Sequence, residues 1–181
     1  MRSCLLACLL ISVATFCTAA DPKPVVVKFG KLSAEAPATW KSEKPNNRLR
    51  SHQFKLLSDN KDLEAAELSV MPDSDPNHEK YFPRWKAMFV PPEGKTVEDI
   101  SKVKKEEVGQ VKLQWLDVTG TWKYKERPFD PKSKEEIRPE YRVIWAIVVT
   151  GEEATHVRLS GPMSVVEKHQ PAFEKWLKSI K

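Results

Sequence analysis

Hydrophobic residues recur along much of this chain with the two-residue period of β-strands, and this pattern predicts a sheet. Short runs of this kind occupy residues 25–29, 32–40, 49–57 and 64–71. Residues 103–123 predict a hairpin turned at Gly109, whose second strand buries the alternating Val111, Leu113 and Trp115.

The segment from residue 140 to residue 150 is apolar on both sides of a strand. One side carries Tyr141, Val143, Trp145, Ile147 and Val149, and the other carries Ile144, Ala146 and Val148. A strand of this type is covered on both sides. We therefore expect a central strand here, with Trp145 in the core.

The C-terminal region predicts a strand followed by a helix. A strand over residues 155–160 places Val157 and Leu159 inward and leaves His156 exposed, and Gly161-Pro162 then ends it. A capping-box pattern and an apolar helical stripe follow: Ser164 with Glu167, then Val166, Phe173, Trp176, Leu177 and Ile180.

A second helix is predicted in the middle of the chain. Asp75-Pro76 suits a helix start, with an Asp cap followed by proline at the first position. The apolar stripe after it consists of Tyr81, Trp85, Met88 and Phe89. Pro83 lies inside this stripe, so we expect a kink or a late start.

These elements predict an α/β/α sandwich of the α+β class, with a mostly antiparallel sheet and the two helices on opposite faces. Three segments, residues 29–40, 113–124 and 157–162, together with Phe173 and Ile180, resemble the PsbP-like fold. That fold is shared by a photosystem extrinsic protein, a nuclear-import factor that binds the GTPase Ran, and small exported bacterial proteins. The resemblance implies an architecture and no particular activity.

The N-terminus has the order of a secretory leader. Arg2 precedes an apolar run over residues 5–16, and the small residues Thr18, Ala19 and Ala20 follow it. The run is shorter than a membrane anchor needs, and Phe16 is too bulky for lipid attachment at Cys17. We expect cleavage after Ala20, no stable membrane insertion, and a secreted or periplasmic domain over residues 21–181.

The leader contains all three cysteines, Cys4, Cys8 and Cys17, so the expected mature domain has no disulfide and no thiol. The formal net charge of the whole chain is +5, with basic and acidic residues interleaved. Nucleic-acid surfaces separate their positive charge into patches, so we expect no nucleic-acid partner.

No catalytic, cofactor-binding or metal-binding motif stands out. The six glycines are scattered, so none forms a phosphate-binding loop. The four histidines lack metal-ligand spacing. Residues 73–77 resemble the start of a calcium loop, but His78 and Arg84 occupy positions that need Gly and Glu.

One segment has the composition of a recognition surface. Residues 125–139 are rich in proline, and aromatic and arginine side chains lie in or beside this stretch: Trp122, Tyr124, Arg127, Phe129 and Arg138. Such side chains combine contact area with directional hydrogen bonding. The alternative interpretation is that Trp122 and Phe129 hold the loop to the body while the charges are solvated.

Three functions remain open at this point. The favoured one is an exported, non-catalytic binding or accessory protein that contacts an unidentified protein partner. The second is a small-molecule-binding protein or enzyme whose site combines distant residues such as His52, His156 and Glu140. The third is a structural component of the cell envelope held there by mild positive charge.

Overall fold

The computed structural model describes residues 24–73, 79–126 and 130–181. Its strands are β1 (Val26–Phe29), β2 (Leu32–Glu35), β3 (Lys41–Glu43), β4 (His52–Leu56), β5 (Ala66–Asp73), β6 (Phe89–Val90), β7 (Ser101–Val108), β8 (Val111–Lys125), β9 (Glu135–Thr150) and β10 (Glu153–Pro162). Its helices are a 3₁₀ turn (Glu79–Tyr81), α1 (Phe82–Lys86) and α2 (Met163–Lys178).

The strands form one large antiparallel sheet and one small ribbon. The large sheet has the order β3-β4-β5-β10-β9-β8, and both β6 and β7 pair with β8, one after the other along its length. β1 and β2 form the ribbon. The α+β class with a mostly antiparallel sheet is therefore confirmed, as is the hairpin at Gly109.

The two helices cover opposite faces of the sheet. On one face, Leu68, Ala146 and Val157 pack in one hydrophobic cluster with Phe173 and Trp176 of α2. On the other, the cluster consists of Phe82, Phe89, Leu116, Val118, Trp122, Tyr141, Val143, Trp145, Ile147 and Ala154. We call these the α2 face and the α1 face.

β9 is the central, doubly covered strand that its sequence predicts. Trp145 is 3% exposed, and its ring stacks on Trp85 with centroids 5.1 Å apart. Ile144 and Ala146 point the other way, into the α2 cluster. Both faces of the strand are thus buried.

The mid-chain helix begins late, as Pro83 suggested, and is only five residues long. Its first turn holds Pro83, where a missing N–H leaves no hydrogen bond unmade. The expected stripe does not continue along the helix, because Phe89 belongs to β6 and pairs with Trp122. Asp75 and Pro76 lie outside the described residues.

The predicted boundary between the last strand and the last helix is wrong. β10 continues through Gly161 to Pro162, and α2 begins at the next residue. Pro162 is the N-cap and no side chain caps the helix, so Ser164 and Glu167 form no capping box. The apolar stripe of the helix is confirmed, since its buried residues are Val165, Val166, Phe173, Trp176 and Leu177.

The stretch over residues 125–139 is less irregular than its prolines suggest. β8 and β9 pair as far as Lys125 and Glu135. Between Gly120 and Trp122 the register shifts by one residue, because β9 carries an extra residue there. Glu140 lies at this bulge with φ 51°. We call residues 120–125 and 135–140 the β8–β9 arm.

Candidate functional site

The arm gathers three aromatic rings around one arginine. Trp122 lies directly opposite Arg138 in the register, so their side chains share the α1 face. The guanidinium carbon of Arg138 is 3.9 Å from the ring centroid of Tyr124, and it also lies 5.5 Å from Tyr141 and 5.9 Å from Trp122. We call these four residues the Arg138 cluster. Stacking of this kind holds the planar cation in place.

Hydrogen bonds complete the fixation of Arg138. Its Nη2 donates to Glu136 Oε2 at 2.7 Å and its Nη1 donates to the Tyr141 hydroxyl at 3.3 Å. That hydroxyl donates to Glu64 Oε2 at 3.4 Å. Burial lowers the pKa of Arg138, but the bonds to Glu136 and Tyr141 outweigh it and raise the pKa. Burial raises the pKa of the Tyr141 phenol, so a neutral phenol faces a permanent cation.

The structure brings together three of the five residues nominated from the sequence. Trp122, Tyr124 and Arg138 meet in the Arg138 cluster, whereas Arg127 and Phe129 lie outside the described residues. Trp122 is only 1% exposed, so it forms the buried side of the cluster and has no surface available to a partner. The side chain of Arg138 is 24% exposed. It presents a restricted charged edge to solvent.

A buried ion network lies beneath the cluster, and sequence reasoning missed it. The guanidinium carbon of Arg158 is 5.5 Å from the Trp122 ring. Arg158 Nη2 lies 2.9 Å from Glu67 Oε1, and Arg50 Nη1 lies 3.0 Å from Glu67 Oε2. Burial raises the pKa of Glu67, but the two arginines outweigh it and lower the pKa. Burial lowers the pKa of Arg158. The three residues are distant from one another in sequence, so strand alternation could not bring them together.

A shallow cavity of about 400 Å³ opens beside the arm. Its walls are the loop before β5, the outer side of β9 and the start of α2. The lining is Asp62, Leu63, Glu64, Glu136, Ile137, Arg138, Pro139, Glu140, Tyr141, Pro162, Met163 and Ser164. We call this cavity the arm groove. A second concavity of about 770 Å³ also borders Arg138 and is lined by Tyr124, Glu126 and residues 132–136.

The histidines and Glu140 considered for an alternative site do not converge. His52 aligns with Val70 and Val157 on the α2 face. His156 is the next residue along β10 and so points to the α1 face. Glu140 lines the arm groove. These three groups therefore cannot act together on one small substrate.

The expectation that His156 is exposed is wrong. It is buried against the rings of Tyr81 and Trp85, with centroids 5.4 and 5.5 Å away. Its Nε2 lies 3.3 Å from Asp73 Oδ2. The outward face of β10 is covered here because α1 packs on it, which strand alternation alone does not reveal. His169, by contrast, is half-buried, and its Nε2 lies 2.9 Å from the Leu57 carbonyl oxygen.

Within the described residues, no group of three or more His, Cys, Asp or Glu side chains is placed to hold a metal ion. No helix in that part of the chain is both long enough and apolar enough to cross a membrane. No protein-family model matches the sequence, and no curated protein matches it significantly.

Proposed function

We propose that this chain is an exported, non-catalytic binding protein that contacts a protein partner through the β8–β9 arm. The observation that carries the proposal is the Arg138 cluster next to the open arm groove. Arg138 is held by three rings and two hydrogen bonds, so little side-chain entropy is lost when a partner contacts it. Pre-positioned arginine and tyrosine side chains are the typical anchors of protein interfaces.

The dispersal of His52, His156 and Glu140 supports a binding role over an enzymatic one. An acid–base pair must lie within hydrogen-bond reach of one substrate. Two of these residues point to opposite faces of the sheet. The small-molecule or enzyme alternative would need a site built from other groups.

Export and a PsbP-like architecture belong to the same proposal. An antiparallel sheet between two helices supports the architecture, and the leader pattern of residues 1–20 supports export. The protein purified from its native envelope fraction should begin at Asp21 and contain no thiol. Intact-mass measurement tests this, and a mass that retains Cys17, with or without lipid, would contradict soluble export.

The partner is tested by affinity capture from the same envelope fraction. We expect a specific, stoichiometric polypeptide that the variant Tyr124→Ala/Arg138→Gln captures about tenfold less well, as expected for loss of interface anchors. Lys102→Gln on the exposed edge of β7 is the matched surface control. Thermal unfolding of each variant separates a lost contact from a lost fold.

The pair Arg127→Ala/Phe129→Ala tests the segment that connects β8 to β9 in the same assay. If these residues contact the partner, capture weakens while thermal stability stays nearly unchanged. If they instead hold the loop to the body, capture persists and stability falls. Capture that no arm variant weakens would contradict the proposed surface.

A further inference from the structure

We infer that the arm groove binds an extended, basic segment of the partner polypeptide, which adds as a strand to the free edge of β9. This inference rests on the proposed binding function and specifies the chemistry of its partner. Three features of the groove carry it: an unpaired strand edge, exposed apolar side chains, and an excess of carboxylates.

Among the described residues, no strand pairs with the outer edge of β9 along the arm. On one side, β9 pairs with β8 as far as Glu135. On the other side, its pairing with β10 ends at Tyr141, opposite Pro162. Beyond that point the chain turns into α2, and no described residue supplies a backbone hydrogen bond to the outer side of residues 135–140. Unpaired strand edges accept added strands from other chains.

The length of this edge limits the added strand. Pro139 has no N–H to donate and Glu140 is at the bulge, so regular pairing is open to the four residues from Glu135 to Arg138. At about 3.4 Å per residue, a segment of roughly four to six residues spans the edge and the groove beside it.

Exposed apolar side chains line the same edge. Ile137 is 57% exposed and Leu63 across the groove is 37% exposed. In an added strand, every second side chain would lie on the face that carries Ile137, and one of them would lie next to it. Alternate apolar residues in the partner would therefore bury this surface.

The negative charge of the groove favours basic residues at the remaining positions of the added strand. Four carboxylates line it, from Asp62, Glu64, Glu136 and Glu140, against one guanidinium. That guanidinium, Arg138, is already paired with Glu136. Asp62 and Glu140 have no ion-pair partner among the described residues. Complementary charge steers association and excludes acidic partners.

The experiment uses a fluorescent synthetic peptide with the sequence Lys-Val-Lys-Thr-Lys-Val-Lys-Thr and the full mature protein. Fluorescence anisotropy should show saturable binding that weakens as salt is raised, since salt screens exposed charges. A peptide with Glu in place of Lys tests the charge argument. A peptide with proline at alternate positions tests strand addition, because proline cannot donate to a ladder.

Protein variants locate the site. Asp62→Asn/Glu140→Gln should weaken binding about tenfold by removing complementary charge. Ile137→Ser should weaken it about threefold by removing apolar contact area. Glu107→Gln and Val103→Ser are the matched controls, since both residues are exposed on the β7 edge and both variants should bind like the original protein. Hydrogen exchange should show new protection of amides within residues 135–138.

The outcomes separate this inference from the proposed function. Equal binding of the proline or glutamate peptide overturns strand addition or charge selection, respectively. If the lysine peptide does not bind while a captured partner depends on Arg138, the inference fails and the proposed function stands. If sedimentation shows a concentration-dependent dimer that the peptide does not dissociate and that Ile137→Ser abolishes, the occupant is a second copy of this chain and the inference is overturned.

Discussion

The side chain of Trp145 packs the sheet against α1 and β6. Its ring stacks on Trp85 of α1 and meets Phe89 of β6 edge-on, with centroids 5.1 and 6.2 Å away. Large aromatic side chains in this position dominate the stability of a core. At the residue scale, Trp145 thus packs α1 and β6 against the central strand.

Replacing Trp145 with alanine should lower the free energy of unfolding by about 3–5 kcal/mol, through lost burial and the cavity left behind. The measurement is the denaturant midpoint at constant slope. Val103→Ala on the exposed side of β7 is the control and should change stability by less than about 0.5 kcal/mol. A midpoint for Trp145→Ala close to that of the control would contradict the packing described.

Gly161 is required where β10 passes the start of β5. A Cβ at this position would lie 2.8 Å from both the Cα and the Cβ of Ala66. This overlap could be relieved only if the backbone of β5 or β10 moved. The glycine that seemed to end the strand instead lets two strands approach closely.

We therefore expect Gly161→Ala to destabilise the protein by about 1–3 kcal/mol, the usual effect of overpacking. Gly109→Ala is the comparison, because nothing lies within 4 Å of its Cβ position and only its left-handed backbone, with φ 59°, opposes the change. Chemical denaturation of both variants separates steric overlap from backbone strain. Gly161→Ala with unchanged stability would contradict the close approach.

At the scale of elements, the network of Glu67, Arg50 and Arg158 joins β5 and β10 to the arm. Arg158 contacts Glu67 on one side and the Trp122 ring on the other. A buried charge without its partner is strongly unfavourable. Glu67 therefore compensates two arginines that would otherwise face each other.

The sign of the pH dependence follows from the lowered pKa of Glu67. The ion pairs stabilise the fold fully above the ordinary value of 4.5, and this contribution is lost as pH falls through the folded-state pKa. Glu67→Gln should lower stability by about 2 kcal/mol at neutral pH, less than for a fully buried pair because Glu67 is partly exposed.

Unfolding free energies between about pH 7 and pH 3 test this prediction. The difference between the original protein and Glu67→Gln should shrink as pH falls below about 4.5. Glu107→Gln is the control, because its ion pair with Lys112 is long and exposed. A difference that stays constant with pH would contradict the role given to Glu67.

At the scale of the whole molecule, the fold is held together by pairings between distant parts of the chain. Leu68 of β5 pairs with Leu159 of β10. Near the C-terminus, Lys181 exchanges two backbone hydrogen bonds with Ser33 of β2, at 3.0 and 3.1 Å. Such pairings form only after long loops close, which slows folding.

The main refolding phase should therefore last from milliseconds to seconds, and not microseconds as in small helical bundles. Stopped-flow tryptophan fluorescence measures it. A short unfolding pulse before refolding keeps proline isomers native and prevents their slow phases, of tens of seconds, from obscuring the result. Completion within about 100 μs would contradict the dominance of long-range pairing.

The periodicity of particular segments predicted much of the architecture. The doubly apolar segment became β9, the stripe from Val166 to Leu177 became the buried side of α2, and Gly109 became a turn. The candidate site was predicted in part: Trp122, Tyr124 and Arg138 do meet. The burial of Trp122 agrees with the alternative interpretation, in which this residue holds the loop to the body. The stacking of Arg138 on three rings was not predictable, because it depends on what the arm folds against.

The sequence by itself determined the central strand, the hairpin at Gly109 and the C-terminal helix, with the apolar side of each, because side-chain periodicity is a local property of the backbone. Only the tertiary structure decided which elements become neighbours. The pairing of Arg158 with Glu67, the burial of His156 under α1, and the free edge of β9 beside Asp62 and Glu64 all depend on that choice. Contacts between distant residues leave no periodic pattern in a single chain, so a site assembled from them emerges only when the chain is folded.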